Sequence, residues 1–253
     1  MKGFAAFSRK EAEEILRTWR IWVLPGILLF FALTGPAMAR YAPEIVKLAV
    51  GSQMGGFTLP PPTYLDSYAQ WVKNLSQLAL FTLILIYGGI ISSERKSGTA
   101  ALVLTKPVSR PSFVAAKLLV HSAFLGVTVT AGTLITWGGT AIFFGEAPAG
   151  LLFAAAGAWL AFGFLFIAVM TFLSVVVNSQ AGAAGIVLGV YALISAASLW
   201  KPLGTYSPAA LVGGPATLAA GKEFAVVWPV VTSVLLATIL VFFAMSVFSR
   251  KEL

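Results

Sequence analysis

Long stretches without a single charged side chain dominate this chain and leave it few ways to fold. Residues 21–39, 74–93, 118–145, 147–200, 202–221 and 224–249 contain no Asp, Glu, Lys or Arg. A helix that crosses a bilayer needs about 20 mostly apolar residues, and most of these stretches are long enough. Charged residues make up only 10% of the 253 positions, against about 25% in an ordinary soluble domain. Too little charge remains to coat a soluble globule of this size, which excludes a soluble enzyme, a disordered chain and a free nucleic-acid-binding domain. Cysteine is absent, so no disulfide framework or thiolate metal site is available.

The 147–200 stretch is too long for one span. It divides at Asn178-Ser179-Gln180, a polar turn between two runs of suitable length. The 202–221 stretch is a poor helix, because Pro202, Gly204, Pro208, Gly213, Gly214 and Pro215 interrupt it repeatedly. It reads as a loop or re-entrant segment, with its backbone satisfied by protein or water. The chain is therefore expected to be an all-α membrane protein, a single domain over 1–253. Its six spans are expected at 21–39, 74–93, 118–145, 150–177, 181–200 and 224–249. Ala37-Met38-Ala39 resembles a signal-peptide cleavage site. The long leading segment with Glu11, Glu13 and Glu14 argues instead for a retained first span.

Six spans place both ends on one side, and the formal charge of +8 tests this. Lys2, Arg9, Lys10, Arg17, Arg20, Arg95, Lys96, Lys106, Arg110, Lys117, Arg250 and Lys251 fall on that side. Only Arg40, Lys47, Lys73, Lys201 and Lys222 fall on the other. The positive-inside bias puts both termini in the cytoplasm. The basic excess needs no nucleic acid, because it reports orientation.

Residues 8–20 read as an amphipathic helix at the membrane surface. Ser8 and Glu11 have the spacing of a capping box. Ile15, Leu16, Trp19, Trp22 and Val23 recur at helical spacing among Arg9, Lys10, Glu13, Glu14, Arg17 and Arg20. Such a helix suits the headgroup boundary, where it either anchors the first span or also touches a partner.

The segment 92–117, SSERKSGTAALVLTKPVSRPSFVAAK, is the most informative. Glu94 lies near the C-terminal end of the second span, where the helix dipole disfavours an anion. It is expected to find a cation among Arg95, Arg110 and Lys117. Gly98 supplies a stop, Thr99 a cap for the apolar piece 100–104, and Lys106-Pro107 its end. Ser109 caps the next helix with Pro111 in its first turn. The outcome is a short apolar helix between two turns, flanked by bases, either shaped for a cleft on another protein or simply a basic loop.

The run Glu94-x3-Gly98-Thr99, then Leu104-x2-Pro107-x2-Arg110, then Lys117, resembles the segment between the second and third spans of ABC-2-type exporter permeases. The amphipathic first helix and six-span count are similar too. The resemblance implies that Gly98, Thr99, Leu104, Pro107 and Arg110 belong to a cytoplasmic coupling helix that docks on an ATP-binding subunit, bracketed by Glu94 and Lys117. It implies that 202–221 is an outward re-entrant segment between spans 5 and 6. It also implies two ATPase subunits carrying ATP and Mg, a second and identical permease subunit, and residence in a bacterial cell membrane. The outer segment 40–73 is longer than that pattern.

The chain has no G-x4-G-K-[ST] phosphate loop; the spacing from Gly214 to Gly221-Lys222 is wrong for one. It therefore has no cradle for ATP phosphates and is expected to bind no cofactor or metal and to catalyse nothing itself. The lone His121, near the start of span 3, reads as a packed or interfacial residue. On these boundaries the spans carry no Asp, Glu, Lys or Arg, which argues against a proton- or ion-coupled carrier. Gly182, Gly185 and Gly189 are spaced for close helix contact. Tyr64, Tyr68 and Trp71 lie at helical spacing before span 2, as an outer path lining or an aromatic belt. Two other classes stay open. A secondary carrier would transport alone under an ion gradient. A non-transport membrane factor, scaffold or enzyme using His121, would show no ATP-dependent flux.

Overall fold

The computed structural model describes residues 2–50, 60–105 and 109–251. All regular structure among them is helical, as a bilayer requires of a chain that must satisfy its backbone internally. Helix α1 spans Lys2–Arg17. Phe7, Glu11 and Ile15, spaced four apart, turn into the bundle. After a break at Thr18 and Trp19, α2 runs from Arg20 to Val50. It is about 45 Å long at 1.5 Å per residue, well beyond the roughly 30 Å hydrocarbon layer. Arg40, Glu44 and Lys47 therefore sit on a continuous helix rather than in the expected outer loop.

Helix α3 (Tyr64–Asn74) begins with a capping box in which the Thr63 N–H donates to Asp66 at 2.7 Å. A π-helical stretch, Leu75–Ala79, joins it to α4 (Leu80–Tyr87). Two short helices follow, α5 (Ser92–Lys96) and α6 (Thr99–Leu104). Next come α7 (Arg110–Phe144) and α8 (Ala149–Val176). The turn at Asn178 and Ser179 separates α8 from α9 (Gln180–Ala197), with the Ser179 hydroxyl accepting the Gly182 N–H. The 202–221 region folds as α10 (Leu203–Tyr206), a 3-10 turn Pro208–Val212 and α11 (Gly214–Ala219). Its Leu211 and Ala219 are buried in the bundle. Helix α12 (Val227–Arg250) closes the fold.

Six segments are long and apolar enough to cross a membrane: Arg20–Leu48, Tyr64–Lys96, Arg110–Phe144, Ala149–Val176, Gln180–Ala197 and Val227–Arg250. Helix α8 and the Tyr64–Lys96 segment are the most enclosed, each with 67% of its apolar window buried, whereas α9 and α12 are peripheral at 17% and 11%. Trp159, Phe162, Phe166 and Met170 of α8 form the middle of the core. Gly185 and Gly189 of α9 face outward with no neighbouring atom within 4 Å of where a side chain would begin.

Polar cross-links bind α3 to α7. The Trp71 indole N–H donates to Thr133 Oγ1 at 3.1 Å, and Ser67 and Thr140 share a hydrogen bond of 2.7 Å. Gly132 makes the first possible, because a Cβ there would lie 2.5 Å from the Trp71 ring. The expected outer path or belt is corrected here. Tyr68 and Trp71 are fully buried, and Tyr64 stacks edge-on against Tyr68 with 5.6 Å between ring centres. Their polar atoms find protein partners, the Tyr68 hydroxyl donating to the Pro148 carbonyl and the Trp71 N–H to Thr133, as buried Tyr and Trp usually require. The open cleft at that end, about 640 Å³, is lined instead by residues that include Met38, Pro43, Pro61, Asp66 and Lys73.

Candidate functional site

Both ends of the described chain meet at one end of the bundle. Phe7 of α1 stacks on Phe113 of α7, which stacks on Phe248 of α12, at ring separations of 5.0 and 5.3 Å. The α4–α6 elbow lies beside them. Where α4 stops, the N–H groups of Ile91 and Ser92 both donate to Ser174 Oγ of α8 at 2.8 Å. That buried hydroxyl replaces the helical acceptors lost at the bend.

Gly98 then turns the chain with φ of +75°, a left-handed conformation that favours glycine. It precedes α6 directly, so Thr99 is the first helical residue and not the expected cap. The Thr99 hydroxyl instead pairs with Ser97 Oγ at 2.8 Å. Ala100 is buried and Val103 packs against the core, one turn apart. Leu104 ends α6, and Pro107 lies outside the described residues. Ser109 caps α7 as its sequence suggests, accepting the Ser112 N–H at 3.3 Å with Pro111 in the first turn.

Lys117 joins three elements. Its ammonium donates to Glu94 Oε1 of α5 and to Glu11 Oε2 of α1, each at 2.8 Å. Of the three cations considered for Glu94, Lys117 is the partner. Lys117 and Glu11 are each 1% exposed and Glu94 is 12% exposed. The faces of Phe7 and Phe113 flank the ammonium at 5.9 and 5.3 Å from its ring centres. A buried charge persists only when paired in this way. Lys117 lies in the second turn of α7, a 35-residue helix longer than a bilayer needs, one residue before the expected start of the third span.

A second layer surrounds this core. Lys10 donates to Glu11 at 3.0 Å and to Glu14 at 2.5 Å, and lies 3.7 Å from Glu94. Arg20 approaches Glu14 at 3.6 Å. Burial by itself would lower the Lys10 pKa, but hydrogen bonding to Glu14 and the charges of Glu11 and Glu94 raise it above the ordinary lysine range. Burial would raise the Glu14 pKa; the Lys10 hydrogen bond and the charges of Lys10, Lys117 and Arg20 lower it. Glu11, Glu14 and Glu94 place carboxylate oxygens within 4.8 Å of one another. Lys10 and Lys117 bring the balancing charge among them.

The expected Ser8–Glu11 capping box is corrected by the same contacts. Helix α1 begins at Lys2, so Ser8 is mid-helix and Glu11 serves Lys10 and Lys117. Phe4 and Phe7 extend the apolar face of the helix upstream of Ser8. Leu16, Trp19 and Trp22 point away from the bundle at 64, 56 and 78% exposure, and Arg17 is exposed. The break at Thr18 rephases the stripe that the spacing suggested.

Arg110 is held by the end of α12, donating to the carbonyls of Ser249 (3.1 Å) and Lys251 (2.5 Å). Arg95 donates to Val175 O and Asn178 Oδ1, both at 3.0 Å. Lys251 donates to the carbonyls of Val175 (2.6 Å) and Val176 (3.1 Å). These cations satisfy the last carbonyls of α8 and α12 and oppose their dipoles. His121 is fully buried, edge-on to Tyr87 at 4.8 Å, with Nε2 3.9 Å from Glu11. Sequence reasoning missed the roles of Lys10, Glu14, Ser174 and Lys251. The i,i+4 spacing of Lys10 and Glu14 was a readable signal; nothing local marks Ser174.

Comparison with known proteins identifies the family. The profile described as "ABC-2 family transporter protein" matches residues 5–207. The chain is 31% identical over 195 residues to the probable ABC transporter permease protein NosY of Stutzerimonas stutzeri, covering 74% of this chain and 64% of that protein. It is 26% identical over 136 residues to the uncharacterized transmembrane protein YxlG of Bacillus subtilis (strain 168), covering 52% of each. It thus spans less than two thirds of the length of both relatives. With a profile that covers most of its length and six helices able to span a bilayer, the chain is a multi-pass membrane protein that belongs to the ABC-2 family of transporter proteins.

Proposed function

We propose that this chain is the membrane permease subunit of a bacterial ATP-binding-cassette exporter. Two identical copies form the translocation path, and two separate ATPase subunits, which hold ATP and Mg, dock on the cytoplasmic face. Both chain termini lie on that face, where the basic residues concentrate. Helix α6 is the coupling helix, α1 lies at the membrane interface, and the α10–α11 region is an outward re-entrant segment. The permease hydrolyses nothing.

The observation that carries this reading is the Lys117 bridge between Glu94 and Glu11. It ties the elbow that presents α6 to a long span-capable helix and to α1, in a chain of a transporter family. A push on α6 therefore has a rigid path into the bundle, as a switch between two helix packings requires. The exposed glycine face of α9 supports close approach by a second copy.

Co-purification with the ATPase subunit tests the reading. The complex is expected to hydrolyse ATP in proteoliposomes and move substrate, with coupling impaired by Thr99 or Gly98 substitutions. A purified chain that transports alone under an ion gradient, or a complex indifferent to changes in α6, would sink it.

A further inference from the structure

A cleft of about 380 Å³, lined mostly by polar residues, opens between α5 and the α8–α9 turn. Three span-capable segments end or begin at its walls: one ends at Lys96, one at Val176, and one starts at Gln180. On the reading of these segments as membrane spans, a cleft at their ends is near the plane where hydrocarbon gives way to headgroups.

Its wall is rich in unused donors. Ser92 is 2% exposed and lines the cleft, yet its hydroxyl has no hydrogen-bond partner. Lys96, four residues on, shares that helix face. Gln180 and Ala181 open the 18-residue α9, and first-turn N–H groups have no acceptor within their own helix. Asn178 gives its carbonyl oxygen to Arg95, which leaves its amide hydrogens free to donate.

The charge is equally one-sided. Around Lys117 every cation has a carboxylate. Among the described residues, no carboxylate lies within salt-bridge distance of Arg95, Lys96 or Lys251, and Arg95 and Lys251 donate instead to carbonyls and an amide. A helix N-terminus, a free lysine and an unpartnered buried hydroxyl form a ready anion site.

We propose that this cleft binds a phosphate group, and that the phosphate belongs to the headgroup of an anionic phospholipid. Membrane depth selects the lipid, since a headgroup phosphate is present at that plane in high local concentration. The bound lipid holds the α4–α5 bend against the start of α9.

The test uses the purified full chain in neutral detergent, titrated separately with dioctanoyl phosphatidylglycerol and with sodium phosphate while the thermal unfolding midpoint is read. Phosphatidylglycerol is expected to raise the midpoint saturably. Lys96→Gln and Ser92→Ala should each weaken the apparent affinity, and together by about tenfold or more. Lys222→Gln, remote from the cleft, should leave it unchanged. Lys96 is exposed, so its variant is expected to fold. Equal affinity in the parent, Lys96→Gln and Ser92→Ala overturns the site. Sodium phosphate that saturates the same response and leaves nothing for the lipid overturns the lipid source. Protection that appears only with the ATPase subunit assigns the cleft to a protein carboxylate and overturns the proposal.

Discussion

Glu11 and Lys117 stand 106 positions apart in the chain and meet at 2.8 Å, with 1% of either side chain exposed. The contact fastens the first helix to the third span-capable segment. Because Lys117 also holds Glu94, removing the lysine strands two carboxylates. Lys117→Ala is expected to destabilise the chain by about 3–5 kcal/mol, the usual cost of breaking a buried pair from one side. Replacing Lys117 by Met together with Glu11 by Leu and Glu94 by Gln should recover much of that loss. Thermal unfolding in detergent across this series gives the answer, and a Lys117→Ala protein as stable as the parent would refute the account.

Ser174→Ala isolates the acceptor at the elbow. It leaves the buried N–H groups of Ile91 and Ser92 without their shared partner, a cost of about 1–3 kcal/mol. Hydrogen exchange at those two amides should accelerate, while the amides in the middle of α8 keep their protection.

Gly98 is the only described residue of the elbow with positive φ, and a Cβ placed there meets nothing within 4 Å. Gly98→Ala therefore suffers conformational strain without a clash, about 1–2 kcal/mol. Gly98→Asn should cost less, since Asn tolerates this region. Unfolding midpoints that rank glycine above asparagine above alanine are the expected outcome. If α6 couples ATP hydrolysis to transport, flux in the reconstituted complex should follow the same order.

The outer charge layer predicts a pH window. Lys10 has a raised pKa, so its contribution is complete below the ordinary lysine value of 10.5 and is lost as pH climbs through the folded value. Glu14 has a lowered pKa, so its contribution is present above the ordinary 4.5 and is lost as pH falls through the folded value. The gap in unfolding midpoint between the parent and a Lys10→Gln, Glu14→Gln variant should be widest between these limits and shrink on either side. A gap that grows on acidification would contradict the pairing. Exposure of Lys10 keeps the effect small.

Uncharged length, with the polar break at Asn178 and the Pro and Gly of 202–221, was enough to count the six span-capable segments, because the lack of water in a bilayer makes hydropathy a strong code. Capping chemistry was also local: Ser109 with Pro111, and the polar break at Asn178 and Ser179, are where the residue types put them. Spacing was ambiguous wherever one helical turn could serve two purposes. Ser8 and Glu11 read as a cap, but Ser8 is mid-helix and Glu11 pairs with Lys10 and Lys117, because the side chains that lengthen α1 matter only once α7 is there to receive them.

Sequence by itself determined the membrane class and the turn that isolates α6, since each depends on composition or on neighbours within a few residues. Only the tertiary structure decided which cation Glu94 would find, that Arg110 and Lys251 would close helix ends, and that Tyr68 and Trp71 would be core. Those outcomes depend on side chains distant in the chain sharing one buried volume. There an unpaired charge or N–H costs too much to leave, and the partner is whichever group the packing brings within reach.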